Sequence, residues 1–190
     1  MNSCTAALHV ALVALGVGAG DLVVTTTLTF ASTAEVAIYL GAIPVLLDVD
    51  ADTLNISAAQ VSVLCDALSD ERPFAALERA VADGLLPAGV LRCVPRDADI
   101  SCVKAIVPVH FAGQVCAMDE ILAAASVHGI PVLEDAAHAV ETTYGKKHAG
   151  TLGAIGAFSF YATKNLSTGE GGMATTNDPE LAARMRSLTL

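Results

Sequence analysis

The sequence predicts an α/β protein, a three-layer αβα domain around a mostly parallel central sheet. Three observations carry that expectation. Short β-branched runs alternate with alanine-rich stretches of about ten residues, the rhythm of successive βα units. The strand candidates are apolar along their length, as in Lys104-Ala-Ile-Val-Pro-Val, which suits a sheet covered on both faces. At 190 residues, 54% of them hydrophobic, the chain is long enough for one sizeable core.

Taken in order, a helix is expected over residues 5–15, where small polar residues precede an apolar run. A strand over 22–26, a helix over 32–40 and a strand over 44–49 follow, then helices over 58–68 and 73–82. Beyond them come a strand over 103–110, a helix over 118–128, and strands over 131–134, 157–161 and 172–175. A last helix is expected over 179–188. Residues 70–99 shift to an acidic composition with Arg72, Arg79, Arg92, Arg96 and three prolines. They read as an insertion or surface excursion with at most one short helix.

Composition excludes several classes of function. Ten basic against 20 acidic residues give a net charge of −10, and no Lys/Arg-rich run exists, so nucleic acid is not an expected partner. A mean hydropathy of +0.59 excludes disorder and raises the question of a membrane. The first twenty residues lack the basic start of a signal peptide. Asn2, Ser3, Thr5 and His9 spoil them as a spanning helix, and a buried helix accounts for the same letters. Five cysteines, odd in number and never spaced as CxxC, argue against a disulfide framework or a zinc site and for reduced thiols in the cytoplasm.

Three stretches can carry chemistry. Asn2-Ser-Cys-Thr at a helix start is N-cap material, and the same free N–H groups attract phosphate. Pro131-Val-Leu-Glu-Asp-Ala-Ala-His puts Asp135 at the C-terminal edge of a parallel sheet, where α/β ligands bind. That carboxylate suits a metal, a ribose or a protonated ring nitrogen, or it caps the following helix. His138 lies one helical turn further on. Lys164, one of four lysines, follows a β-like run among small and hydroxyl residues, where a lysine is a solvated loop cation or a Schiff-base nucleophile. Ser159 and Thr163 suit phosphate or ring contacts. His110 ends an apolar strand and either reaches the same side or packs in the core; His9 reads as a packed core side chain.

Together, an anion-binding helix start, an Asp at a strand end and a lysine 29 positions later form the set that pyridoxal phosphate requires. The chain resembles the DegT/DnrJ/EryC1/StrS aminotransferases, fold-type-I pyridoxal-phosphate enzymes acting mostly on nucleotide-linked keto sugars. Similar stretches are residues 2–16, 29–35, 41–50 with 53–56, 107–114, 134–138 and 158–172, nearly everything outside about 60–100. Glu134-Asp-Ala-Ala-His together with Thr163-Lys-Asn-Leu and Gly169-Glu-Gly-Gly is the most specific part.

The resemblance implies roles. Lys164 is similar to the family's internal-aldimine lysine and proton shuttle, and Asp135 to the partner of the pyridine nitrogen. His138 matches the position beside the cofactor's phenolic oxygen, and Phe30 the aromatic that stacks on the ring. Thr5, Ala6 and Ser159 match the phosphate cradle. The fold implied is the large domain of fold-type-I transferases, over 1–190. Family members are about twice as long, so an N-terminal segment and a smaller C-terminal domain are expected to be missing. The implied partners are a keto sugar, an amino-acid donor (usually glutamate) and a second copy in a homodimer of the full-length form. Two other readings stay open: a sugar dehydratase relative, disfavoured because those replace this lysine by histidine, and a non-catalytic truncated cofactor-binding protein.

Overall fold

The computed structural model describes residues 1–189. In chain order, α1 (Cys4–Ala14) leads to β1 (Leu22–Thr26), α2 (Ser32–Tyr39) and β2 (Ile43–Leu47). Three helices follow, α3 (Ala58–Leu68), α4 (Pro73–Ala82) and α5 (Val90–Cys93), then β3 (Val103–Ile106) and α6 (Met118–Val127). After β4 (Leu133–Asp135) a small hairpin, β5 (Thr143–Tyr144) and β6 (Lys147–His148), precedes β7 (Ile155–Ser159), β8 (Gly172–Thr175) and α7 (Pro179–Ser187).

Strand β1 pairs in parallel with β2 and β3, while β7 pairs in parallel with β4 and antiparallel with β8. Parallel bridges Ile106–Val132 and Val109–Asp135 join the two halves, so the layer runs β2-β1-β3-β4-β7-β8. Successive strand side chains face opposite sides, and β1 shows the result. Val23 joins a core with Leu8, Leu12, Leu133 and Met185 under α1, α2 and α7. Leu22 and Val24 join a second core with Leu64, Leu77 and Ile121 under α3 to α6. The architecture is the three-layer αβα sandwich the sequence predicts.

Local chemistry sets the helix ends. The Ser3 hydroxyl accepts the Ala6 amide at 3.1 Å to start α1, and Asp178 accepts the Glu180 amide at 2.7 Å to start α7. Among the described residues no helix is long and apolar enough to cross a membrane.

Three expectations need correction. Residues 70–99 contain the helix expected over 73–82 as α4, but they add α5 and are packed rather than a surface excursion, burying Leu77, Leu86, Val90 and Val94. Ala76, Leu77 and Ala80 recur at helical spacing, and Arg96 covers the Phe74 ring at 4.5 Å. The strand expected over 103–110 stops at Ile106 because Pro108 has no amide for a ladder, and an extended link carries the chain on to His110. Strand β7 starts at Ile155 and ends at Ser159, so Tyr161 belongs to the loop that follows.

Candidate active site

A cavity of about 430 Å³ opens at the C-terminal edge of β4 and β7. The start of α1 contributes Ser3, Cys4 and Thr5; the turn into α2 contributes Phe30 and Ser32. Strand β4 and the residues after it supply Asp135 and Ala137, and β7 supplies Ser159. The loop between β7 and β8 supplies Tyr161, Lys164, Glu170 and Gly171. A second cleft of about 460 Å³ between α3 and α6, lined by Cys65, Glu120 and His128, contains none of these residues.

Asp135 is buried, and both carboxylate oxygens are engaged. The Thr33 hydroxyl donates to Oδ2 at 2.8 Å and the Ala137 amide to Oδ1 at 3.1 Å. Burial pushes its pKa above the ordinary carboxylate value, against those donors and the nearby His110 and His138. Its neighbour Glu134 points to the other face of the strand. There it accepts His110 Nε2–H at 2.9 Å and the amides of Gly150, Leu152 and Gly153, each at 2.7 Å. Burial alone raises the Glu134 pKa, but the His110 and backbone donors outweigh it and leave it lowered. Two adjacent carboxyls are thus shifted in opposite directions.

The histidines are set by backbone amides. His110 Nδ1 accepts the Cys116 amide at 3.3 Å, so its ring proton sits on Nε2, facing Glu134. It is fully buried behind β4 and does not line the cavity. His138 Nδ1 accepts the Ala112 amide at 3.3 Å, and Ala112 adopts a left-handed φ of 52°. Partial burial and the charge of Lys164 lower the His138 pKa, with Asp135 opposing, which leaves a neutral ring bearing Nε2–H.

Lys164 is half-buried in a loop closed by backbone bonds from Phe160 to Gly171 and from Thr168 to Phe160, both 2.9 Å. Burial and then the Asp135 charge raise the Cys4 thiol pKa, with Lys164 opposing, and all three side chains line the same cavity. At the start of α1, reciprocal backbone bonds of 2.9 and 3.0 Å tie Met1 to Gly172. A Cβ at Gly172 would lie 2.2 Å from the Ser3 carbonyl carbon, so β8 can approach the helix start only with glycine there.

Of the residues singled out in the sequence, Thr5, Phe30, Asp135, Ser159 and Lys164 share the cavity. His138 sits outside its lining, and the Ala6 amide is taken by Ser3. Thr33 escaped notice because nothing local marks a hydroxyl that meets a carboxylate 102 positions away.

The cavity lies at the C-terminal edge of a mostly parallel sheet, where α/β proteins bind ligands. The model of the DegT/DnrJ/EryC1/StrS aminotransferase family matches residues 1–70 and 85–190, skipping the segment that holds α4. The chain belongs to this family. It is 50% identical over 190 residues to the spore coat polysaccharide biosynthesis protein SpsC of Bacillus subtilis (strain 168), covering all of this chain and 40% of that protein. Identity to the GDP-perosamine synthase of Caulobacter vibrioides is 43% over 187 residues, covering 98% and 41%. A DegT DnrJ EryC1 StrS aminotransferase from Brucella abortus superposes with a TM-score of 0.78 at 33% identity, covering 98% of this chain and 43% of that one. The PLP form of Spr1654 from Streptococcus pneumoniae, named a "putative sugar aminotransferase", superposes at 0.72 with 28% identity, covering 100% and 45%. The chain spans about two fifths of the length of the curated relatives it matches.

Proposed function

We propose that the protein of which this chain is the large domain is a pyridoxal-phosphate aminotransferase. It moves an amino group from an amino acid, glutamate foremost, to a nucleotide-linked keto sugar, and works as a cytoplasmic homodimer. The observation that carries this reading is the shared cavity of Asp135, Lys164 and the start of α1. Family membership and relatives such as the GDP-perosamine synthase and the PLP-form aminotransferase support it.

The donor set suits the cofactor. Asp135 offers a buried carboxylate that burial alone leaves reluctant to ionise, and a cationic ring nitrogen is the partner that would reverse this. Thr5 and the hydroxyl of Ser159 would hold the phosphate at the start of α1, where helix N–H groups favour an anion. Ser159 accepts the Tyr161 amide at 3.4 Å and keeps its own proton to donate. Phe30, 79% exposed at the rim, offers a flat face to a ring. Bound pyridoxal phosphate supplies an aldehyde and an electron-withdrawing ring. Lys164 would provide the amine that condenses with that aldehyde, releasing water, and the base that takes a proton from, or returns one to, the amino-bearing substrate carbon. His138, outside the cavity lining, is assigned the position beside the cofactor's phenolic oxygen by the family resemblance.

Mixing the protein with pyridoxal phosphate and reducing with borohydride tests the reading. The label is expected on the peptide containing Lys164 and absent from Lys164→Ala. A label elsewhere, or none in the wild type, would overturn it.

A further inference from the structure

Asp135 is gripped from one side by the turn that leads into α2. The Thr33 hydroxyl lies 2.8 Å from Asp135 Oδ2, and the Thr29 and Thr33 hydroxyl oxygens are 2.7 Å apart. Thr33 is fully buried and Asp135 nearly so. A hydroxyl has one proton, and an ionised carboxylate has none to give. The order is therefore fixed: Thr29 donates to Thr33, and Thr33 donates to Asp135. The Ala137 amide holds the other carboxylate oxygen, so the group cannot rotate without losing a bond. The same turn presents Phe30 and Ser32 to the cavity.

We infer that Thr33, oriented by Thr29, is a positioning residue for Asp135. It aims the carboxylate at the cavity and favours its charged form in a place where burial favours the neutral one. The inference rests on the reading of Asp135 as partner of a cationic ring nitrogen. A hydrogen bond donated to a carboxylate stabilises the ionised state, and a chain of two donors polarises the inner one. The other charged or titratable groups facing Asp135 come from every side: His110 from the link after β3, His138 from the turn after β4, Cys4 from α1, Cys116 from behind the sheet and Lys164 from the loop after β7. None of them touches the oxygen that Thr33 holds.

The test is a ¹³C NMR titration of the Asp135 carboxyl in the cofactor-free protein. Thr33→Val should raise the midpoint by about one pH unit, and Thr33→Ser should restore it. Thr29→Val should shift it the same way by less. A Thr33→Val midpoint equal to the wild type in a natively folded protein, or a Thr33→Ser variant that stays shifted, would overturn the inference. If Thr33→Val does not fold, half-buried Thr29 decides: an unshifted midpoint in Thr29→Val overturns it. Wild-type protein that takes up no pyridoxal phosphate would defeat the functional reading, yet the carboxyl midpoints would still decide the role of Thr33.

Discussion

His110 Nε2 lies 2.9 Å from Glu134 Oε2, and neither side chain is exposed. Because His110 Nδ1 accepts an amide, this is a neutral imidazole donating to a charged carboxylate, one of four N–H donors that Glu134 collects. One buried charge therefore holds the link after β3 and the 150–153 turn against β4. Glu134→Gln would set an NH2 group against donors on one side. It should cost about 3 kcal/mol in urea unfolding at neutral pH.

The pH dependence follows from the same group. The folded-state pKa of Glu134 lies below its ordinary value. Its stabilisation is therefore complete above the ordinary glutamate range and is lost as pH falls through the lower folded value. Urea midpoints measured from pH 6 downward should drop on the acid side in the wild type and drop less in Glu134→Gln.

Asp135 has the opposite sign. A pKa raised by burial means the ionised Asp135 carboxylate destabilises the cofactor-free protein, and protonation relieves this. Asp135→Asn keeps the shape, and its NH2 can donate to Thr33, which then donates to Thr29. The cofactor-free variant should melt higher than wild type, by about 1 kcal/mol, and lose its capacity for pyridoxal phosphate. A lower melting temperature would count against this account of the site.

Ala112 holds a left-handed backbone so that its amide reaches His138. Ala112→Val, β-branched at φ 52°, should cost about 1–2 kcal/mol, whereas Ala112→Gly should leave stability equal or higher. In Ala112→Gly, ¹⁵N shifts should still report His138 protonated on Nε2.

Gly172→Ala drives a methyl into the Ser3 backbone, which has no room to yield. A loss of about 2–3 kcal/mol is expected in thermal unfolding. Amide exchange at Ala6 and Ala7 should accelerate as the start of α1 is pushed off β8.

Most of the scaffold was legible because its signals are local. The strand over Leu22–Thr26 and the helices α3 and α4 fall where the sequence pattern predicts them, over 22–26, 58–68 and 73–82. The strand edges that moved did so where proline removed a ladder amide or where pairing partners, invisible in a local reading, set the limit. The hairpin at 143–148 is too short to leave a periodic signal. At the site, Asp135 and Lys164 announce themselves by residue type, but Thr33 and His110 act through contacts made only after the sheet is assembled. Ser3 makes the helix cap that its residue type suggests, and that bond uses the Ala6 amide that the family resemblance assigned to the phosphate cradle.

Helix α1 carries no Asp, Glu, Lys or Arg and buries Ala7, Leu8, Ala11, Leu12 and Ala14, partly beneath β7 and β8. Its anchor at Gly172 lies 171 positions from Met1. During synthesis this greasy segment leaves the ribosome long before the strands that shelter it exist. Its apolar face stays uncovered by its native partners until residue 175 has emerged. The corner of the cavity formed by the start of α1 is thus among the last parts of the molecule to mature. Slowing translation after β4 should lengthen the window in which the nascent chain aggregates.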